Sequence, residues 1–512
     1  MMENTPNRRQ DTWMAIGLFL LTLLSRIPFR SQILYHWDSV NFAYAMREFD
    51  VAKEQPHPPG YIAYVWLCRL VDVFFHDPQT TMVWISVVAS ALAVVALFYL
   101  GRSVFNRRVG LIVALFLATS PLFWFYGEIA LPHTFDTLLV IVSVWWLYET
   151  MKGDLRYLYP AVAVLSAAGG VRQQTIVFLA PLLLFALARV GWGRFLVAGV
   201  LGAIICLAWF VPLVTLNGGF SNYMRVMGEF TRRFQSTTSV FMGGGWWGVG
   251  RNLRKLAMYA AYGWGVSLLP ALVYAAYRLW RREWPRCWER LIFLLLWMAP
   301  TLVFYAVIHM GQQGLVFVFL PALLLISAVG MERLLLARSR WLAATAALLM
   351  VANVAIFFLS PEYPLGPGPL RLLTRATLLN SDHYYQDRFA VIEGSFAPDS
   401  TAILAANWHH VEYYLPEYTM LPFGIVSKWE QGAGEPIEDR REVVVTPAEL
   451  RLRPDSQGET VVTVFDPELL SFGEDLAFIQ VPLEHGGELA YFVLTEGQAI
   501  HYGAGMFGVI ED

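Results

Sequence analysis

One acidic side chain, in the segment Tyr35-His36-Trp37-Asp38-Ser39, invites a reading as a base. A carboxylate beside an aromatic ring, about ten residues past an apolar run, can face a lipid-borne substrate and take a proton from an incoming hydroxyl. Asp38 equally suits the N-cap of the run from Ser39 to Asp50, whose Phe42, Ala45, Met46 and Phe49 make one apolar face. The two roles are compatible. Next comes His57-Pro58-Pro59-Gly60-Tyr61, where two prolines impose an extended approach and a first helical turn. That is a rigid corner at the start of 60–75, and it can hold His57 and Tyr61 facing Asp38 across the same loop.

Glu128, in Tyr126-Gly127-Glu128, has His133 and Asp136 just beyond it. It either pairs with a nearby base or serves chemistry, by orienting an acceptor or by helping Asp38 bind a metal. Arg172 and Gln173 stand between two apolar runs in Gly169-Gly170-Val171-Arg172-Gln173-Gln174. A cation there is expensive unless it meets an anion, and the planar guanidinium suits phosphate. An ion pair with Glu128 or Asp38 is the plainer alternative. Arg225, Arg232, Arg233 and His309, the last before Gly311-Gln312-Gln313-Gly314, can complete a phosphate site. Together these residues describe an outward-facing site with an acid, several cations and a lipid phosphate as ligand. Zinc-type spacings, a nucleophile elbow and Walker loops are absent.

Such residues need a scaffold, and composition says which kind. The 512 residues are 56% hydrophobic and 15% charged, where soluble domains average about 25% charged. Apolar runs long enough to cross a bilayer recur through the first 360 residues, so the expected class is a polytopic α-helical membrane protein. A soluble enzyme, a disordered chain and a nucleic-acid binder are excluded. The net charge of −3 conceals an asymmetry: residues 361–512 hold 24 acidic and 8 basic residues, and residues 1–360 hold 16 and 29. A basic membrane body (1–360) therefore carries an acidic soluble domain (361–512). Cys68, Cys206 and Cys287 all fall in the body, so no disulfide framework reports a compartment.

Loop charge sets the threading. Five basic loops hold Arg102, Arg107 and Arg108; Lys152 and Arg156; Arg189 and Arg194; Arg278 to Arg290; and Arg333 to Arg340. The positive-inside rule places all five in the cytoplasm. That works only if 60–75, which contains Arg69 and Asp72, lies along the outer interface instead of crossing. About 11 transmembrane helices remain. The first, 13–29, reads as an uncleaved anchor, with the N-terminus inside and the tail outside. The outer face then collects a long first loop (31–79), 125–133, 170–174, 217–252 and 309–314, which carry the candidate residues. The tail reads as α/β, with strands at 401–406, 442–446, 459–465, 477–482 and 490–495 after a helix within 371–390.

The order of these pieces resembles the GT-C superfamily of membrane glycosyltransferases, in the branch of the protein O-mannosyltransferases and the lipid A aminoarabinose transferase. The pieces are HWDS, the HPPGY corner, GRSVFNRRVGLIVALFLATSP, YGEIALPH, GGVRQQT and the segment from His309 to Pro321. The resemblance covers residues 13–335 and is weak over the tail. It implies transfer of a sugar from a polyprenyl-phosphate donor to an acceptor hydroxyl of a glycan, lipid or protein, at the outer face of a bacterial inner membrane, with inversion. Asp38 would be the general base, with Glu128 as second catalytic carboxylate. Arg172 leads the residues that would hold donor and phosphate, with His57, Tyr61, Gln173, Arg232, His309 and Gln312. In much of that branch Glu follows the first-loop Asp; here Ser39-Val40-Asn41 follows Asp38, so the requirement for a divalent metal ion is open. The rival expectation is a transporter or flippase of a lipid-linked anion, although paired Gly/Pro-broken helices in corresponding halves are not evident.

Overall fold

The computed structural model describes residues 8–282, 288–335, 338–365, 370–427, 441–445, 449–452, 458–473, 476–495, 497–502 and 505–509. Cys287 and residues 283–286 of the fourth basic loop lie outside the described residues. The chain divides into two compact units, Met1–Leu378 and Leu379–Asp512.

The first unit is helical. In chain order it contains α1 (Arg8–Arg26), α2 (Trp37–Arg47), α3 (Ile62–Phe75), α4 (Pro78–Val104), α5 (Arg107–Thr119), α6 (Pro121–Tyr126), α7 (His133–Met151) and α8 (Leu158–Val171). There follow α9 (Gln173–Leu187), α10 (Trp192–Leu216), α11 (Phe220–Gln235), α12 (Gly245–Trp264), α13 (Leu268–Trp280), α14 (Trp288–Val307), α15 (Leu320–Leu335) and α16 (Ser339–Leu359). The apolar runs of this unit fall on these helices, some of them broken in two. Among the described residues, six stretches are long and apolar enough to cross a membrane: Arg9–Phe29, Pro78–Val104, Trp192–Leu216, Gly245–Trp280, Trp288–Val307 and Ser339–Leu359. The others are shorter or interrupted.

The interruptions have local causes. Ser120 ends α5 and caps α6, where Pro121 takes the first helical position and needs no N–H donor. Ser120 Oγ donates to Gly263 O across the bundle at 2.5 Å. Between α12 and α13, Gly265 has φ +57°, a conformation that a side chain resists. Asn353 of α16 repairs that break: its Oδ1 accepts from Val266 N at 2.9 Å and its Nδ2 donates to Ser267 Oγ at 2.9 Å.

Helix α4 is the buried centre and packs on α1, α5 and α7. By contrast α10 presents Leu196, Val200, Ile204, Leu207 and Val211 outward, as a helix facing lipid would. Helix α3, expected at the outer interface, has a polar anchorage: Arg69 donates to Met46 O and Ala45 O, and Asp72 accepts from Thr81 Oγ1 at 2.6 Å. Its Leu70, Val73 and Phe74 are exposed. The segment 217–252, expected as a plain loop, contains α11, an amphipathic helix that buries Tyr223 and Val226 and exposes Phe220, Met224 and Phe234.

Most of α17 (Arg375–Ser395), from Leu379 on, belongs to the second unit. This unit also contains α18 (Trp408–Tyr414) and a six-stranded sheet, β1 (Thr401–Ala405), β2 (Thr419–Ser427), β3 (Arg441–Val445), β5 (Glu459–Val464), β6 (Ile479–Pro482) and β7 (Glu488–Thr495), in the order β3-β2-β1-β5-β7-β6. β1 is parallel to β2 and β5; β7 is antiparallel to β5 and β6. β4 (Glu449–Leu452), β8 (Ala499–Tyr502) and β9 (Gly505–Val509) form a second sheet. Ala402, Leu404, Leu421, Val462, Val464, Phe492 and Leu494 fill the core of this unit from alternate strand positions. All five expected strands are present; β2, interrupted in pattern by Pro422, and the second sheet of β4, β8 and β9 are additions.

Candidate active site

Asp38 is not the N-cap of its helix, contrary to one of its two expected roles. Helix α2 begins one residue earlier, and the cap is His36, whose Nδ1 accepts from Asp38 N at 3.0 Å. An imidazole acceptor thus takes the orphan backbone donor that a carboxylate would have taken. The Asp38 carboxylate is released toward other partners, near the positive end of α2. His57 Nδ1 lies 3.4 Å from Oδ1, His36 Nδ1 lies 3.5 Å from Oδ2, and Gln312 Nε2 donates to Oδ2 through a short contact. The side chain is 15% exposed. Burial pushes the carboxyl up, but His57 first, with the Gln312 amide, outweighs it and holds it below the usual carboxylate value. Asp38 is therefore ionised at neutral pH.

The HPPGY corner is built as its sequence demands. Gly60 has φ +109°, and a Cβ there would stand 2.6 Å from Leu213 Cδ1 and 3.1 Å from Val51 Cγ2, so only glycine fits. Val51, Ile62, Trp209, Leu213, Tyr223 and Val226 pack together and fix the corner against α10 and α11. His57 Nε2 and Tyr61 Oη are 3.2 Å apart, Phe42 of α2 meets the Tyr61 ring edge-on at 5.2 Å, and Phe230 of α11 stacks on His57 at 6.0 Å. Pro59 O accepts from Tyr223 Oη at 2.9 Å, and Gln173 Nε2 donates to that same hydroxyl at 2.9 Å. Four expected residues, His57, Tyr61, Gln312 and Asp38, thus meet at one place, with Gln173 joined to them through Tyr223.

Arg172 pairs with neither Glu128 nor Asp38. Its partner is Asp136 of α7, at 3.5 Å, and its second amino group donates to Tyr305 Oη at 2.6 Å. Thr175 Oγ1 completes the Asp136 carboxylate at 2.8 Å. Glu128 likewise has partners other than Asp38. It is fully buried, accepts from Trp124 Nε1 at 2.7 Å, and faces Arg26, whose guanidinium stacks 3.8 Å above the Trp124 ring. Burial pushes the Glu128 carboxyl well above its usual range, against the opposing pull of Arg26. Ligand atoms of Asp38, His36 and His57 do not gather within 4.8 Å as a metal-binding group among the described residues.

His309 sits on the loop that delivers Gln312. Its Nδ1 is 3.0 Å from Thr238 Oγ1, and Asn252 pins the loop by accepting from Met310 N at 3.1 Å and donating to Thr238 O at 3.1 Å. Burial, then the charges of Lys255 and Arg251, press the His309 imidazole down to about 4. Neither cation stands out in the sequence, although a lysine and an arginine one turn apart at the head of an apolar run are costly. Among the described residues Lys255 has no carboxylate within ion-pairing distance. Arg232 is exposed, Arg233 pairs with Glu54, and Arg225 pairs with Glu229.

Residues 56–215 match the family model for dolichyl-phosphate-mannose-protein mannosyltransferase. No curated protein matches the chain. Among solved structures, ArnT from Cupriavidus metallidurans bound to undecaprenyl phosphate aligns over 95% of this chain and 98% of its own, at 12% identity and TM-score 0.58. The same protein in its apo state aligns over 94% of this chain and 97% of its own, at 13% identity and TM-score 0.58. The chain has the fold of ArnT over nearly its whole length and a mannosyltransferase-type sequence pattern over 56–215, and so resembles the GT-C membrane glycosyltransferases.

Proposed function

We propose that this protein is an inverting membrane glycosyltransferase that takes a sugar from a polyprenyl-phosphate donor and attaches it to an acceptor hydroxyl at the outer face of the membrane. The observation that carries the reading is the Asp38 carboxylate, ionised, 15% exposed and flanked by the His57 imidazole and the Gln312 amide. Asp38 accepts the acceptor's hydroxyl proton as that oxygen bonds to the anomeric carbon. The bond from that carbon to the phosphate oxygen breaks, and polyprenyl phosphate departs with the electron pair. A leaving group that is already an anion leaves the protein three tasks: positioning, deprotonation and charge stabilisation.

Two sets of cations serve the carrier phosphate differently. Arg172, committed to Asp136 and Tyr305, braces the floor of the site beside Tyr61. Lys255, near Arg251 and His309 beside the Gln312 loop, carries positive charge that no carboxylate answers among the described residues, and takes the phosphate. Eleven crossings, with the N-terminus cytoplasmic and the second unit extracytoplasmic, bring all these groups to one side of the membrane. The undecaprenyl phosphate bound to ArnT is the kind of carrier this arrangement suits.

The test uses purified protein in detergent with labelled polyprenyl-phosphate sugars and a panel of hydroxyl acceptors. Release of polyprenyl phosphate, by transfer or by slow hydrolysis, supports the reading. Movement of intact lipid-linked sugar across liposomes without donor cleavage would replace it with a flippase.

A further inference from the structure

The loop that brings Gln312 to the base is Gly311-Gln312-Gln313-Gly314, two amides between two glycines. Glycine leaves a backbone with the most freedom to lose, so such a loop does not hold a side chain in one place by itself. Its grip on Asp38 has to come from neighbours on either side of Gln312. On the N-terminal side, Asn252 accepts from Met310 N at 3.1 Å. On the C-terminal side, Gly314 runs tight against two rings, where a Cβ would stand 2.4 Å from His133 Cδ2 and 2.7 Å from Tyr126 Cε1. Next to Gln312 itself is Gln313, 5% exposed, whose Nε2 donates to Arg371 O at 2.9 Å.

Arg371 lies in the stretch that follows α16, and that stretch is a firm anchor. Leu372 N donates to Tyr363 O at 2.7 Å, Tyr262 Oη of α12 donates to Leu373 O at 2.7 Å, and Arg375 Nη1 donates to Phe29 O at 2.7 Å. Leu373 and Thr374 are buried. At its other end the Gln313 amide is unsatisfied: Oε1 is buried and has no hydrogen-bond partner among the described residues. A buried amide with one end unsatisfied is a costly way to fill space, which points to the work of the end that is bonded. We propose that Gln313 is a positioning residue for the base: by holding Arg371 O it clamps the loop so that the Gln312 amide stays on the Asp38 carboxylate. The inference rests on the reading of Asp38 as the base.

The experiment measures sugar transfer against pH, with the full-length chain in detergent, for wild type, Gln312→Leu, Gln313→Met and the double variant, each with its unfolding midpoint. Gln313→Met keeps the length of the side chain and removes the donor. The titratable groups that face Asp38 are His36 beside it, His57 and Tyr61 of the corner, and Tyr126 and His133 where α6 leads to α7; none of them is substituted. A loosened Gln312 donates less to the ionised form, so the acid limb of Gln313→Met should move to higher pH by about 0.5–1 unit, in the direction of Gln312→Leu. The double variant should move no further than Gln312→Leu alone. A residue that only packs would lower the midpoint and leave the limb in place. An unmoved limb in Gln313→Met, or shifts that add in the double variant, would overturn the proposal. If Gln312→Leu moves the limb and Gln313→Met does not, the clamp falls and the base stands; if neither moves it and Asp38→Asn still transfers, both fall. Where a variant is too slow to assay, titration of the Asp38 carboxylate by infrared difference against Asp38→Asn reads the same shift.

Discussion

The pair Arg172–Asp136 gives a test whose size follows from the structure. Both groups are buried, at 8% and 4% exposed, and their charged atoms stand 3.5 Å apart. Asp136→Asn keeps the shape and a carbonyl for Thr175, but leaves a guanidinium that cannot shed its proton. Breaking such a pair from one side costs about 3–5 kcal/mol. The surviving bond from Arg172 to Tyr305, at 2.6 Å, places the expected loss near the lower end, about 3 kcal/mol. Arg172→Met should cost less, because a stranded carboxylic acid can neutralise itself by taking up a proton. In the double variant no charge is left buried, and stability should return to within about 1 kcal/mol of wild type. Unfolding in mixed micelles, followed by intrinsic fluorescence for all four proteins, measures the cycle. Additive losses, or an Asp136→Asn protein as stable as wild type, would refute the view that this pair braces the site.

Three further outcomes follow from the same geometry. Because Asp38 is held below the ordinary carboxylate value, transfer should stay level from neutral pH downward and fall only as the pH drops through that depressed value. Gln312→Leu removes a donor to the ionised form, so its acid limb should move to higher pH; a profile that does not move would contradict the role of Gln312. Gly60→Ala forces a side chain into φ +109° and to 2.6 Å from Leu213 Cδ1, and should cost about 1–3 kcal/mol with a matching fall in kcat; an unchanged thermal midpoint would show that the corner is not under this constraint. Lys255→Gln should raise the donor KM about 10–100-fold, the equivalent of a charged hydrogen bond of about 1.5–3 kcal/mol, with kcat less affected. Kinetics identical to wild type would remove Lys255 from the phosphate site.

Much of the scaffold was legible because membrane solvation is a blunt constraint. An apolar run in hydrocarbon has few choices besides helix, and the apolar runs of the first unit are largely helical. The HPPGY corner was also readable, since proline and glycine restrict the backbone by themselves. What escaped depended on partners distant in sequence. Asp38 looked like a cap because Asp is a strong capping residue; nothing local reveals that His36 takes the backbone N–H and leaves the carboxylate to His57 and Gln312, the latter 274 residues away. Arg172 announced its need for an anion but not which one, because Asp136 reaches it only once α7 and α9 pack. Glu128 and Asp38 looked like neighbours on the outer face, yet Glu128 is committed to Trp124 and faces Arg26. Helix α11 carries a clear helical period in Phe220, Tyr223, Met227, Phe230 and Phe234, so its pattern was legible; its charges and low overall hydrophobicity set it apart from the crossings and left it among the loops.

The central claim is that Asp38 is the base of a sugar transfer, and Asp38→Asn tests it with least disturbance. The cap on α2 belongs to the Asp38 backbone N–H and the His36 ring, so the substitution leaves it in place. Single-turnover transfer from a labelled polyprenyl-phosphate sugar, with the variant shown to keep the wild-type unfolding midpoint, should slow by about 10²–10⁴-fold. A folded Asp38→Asn protein that transfers sugar within a few-fold of wild type would contradict the account.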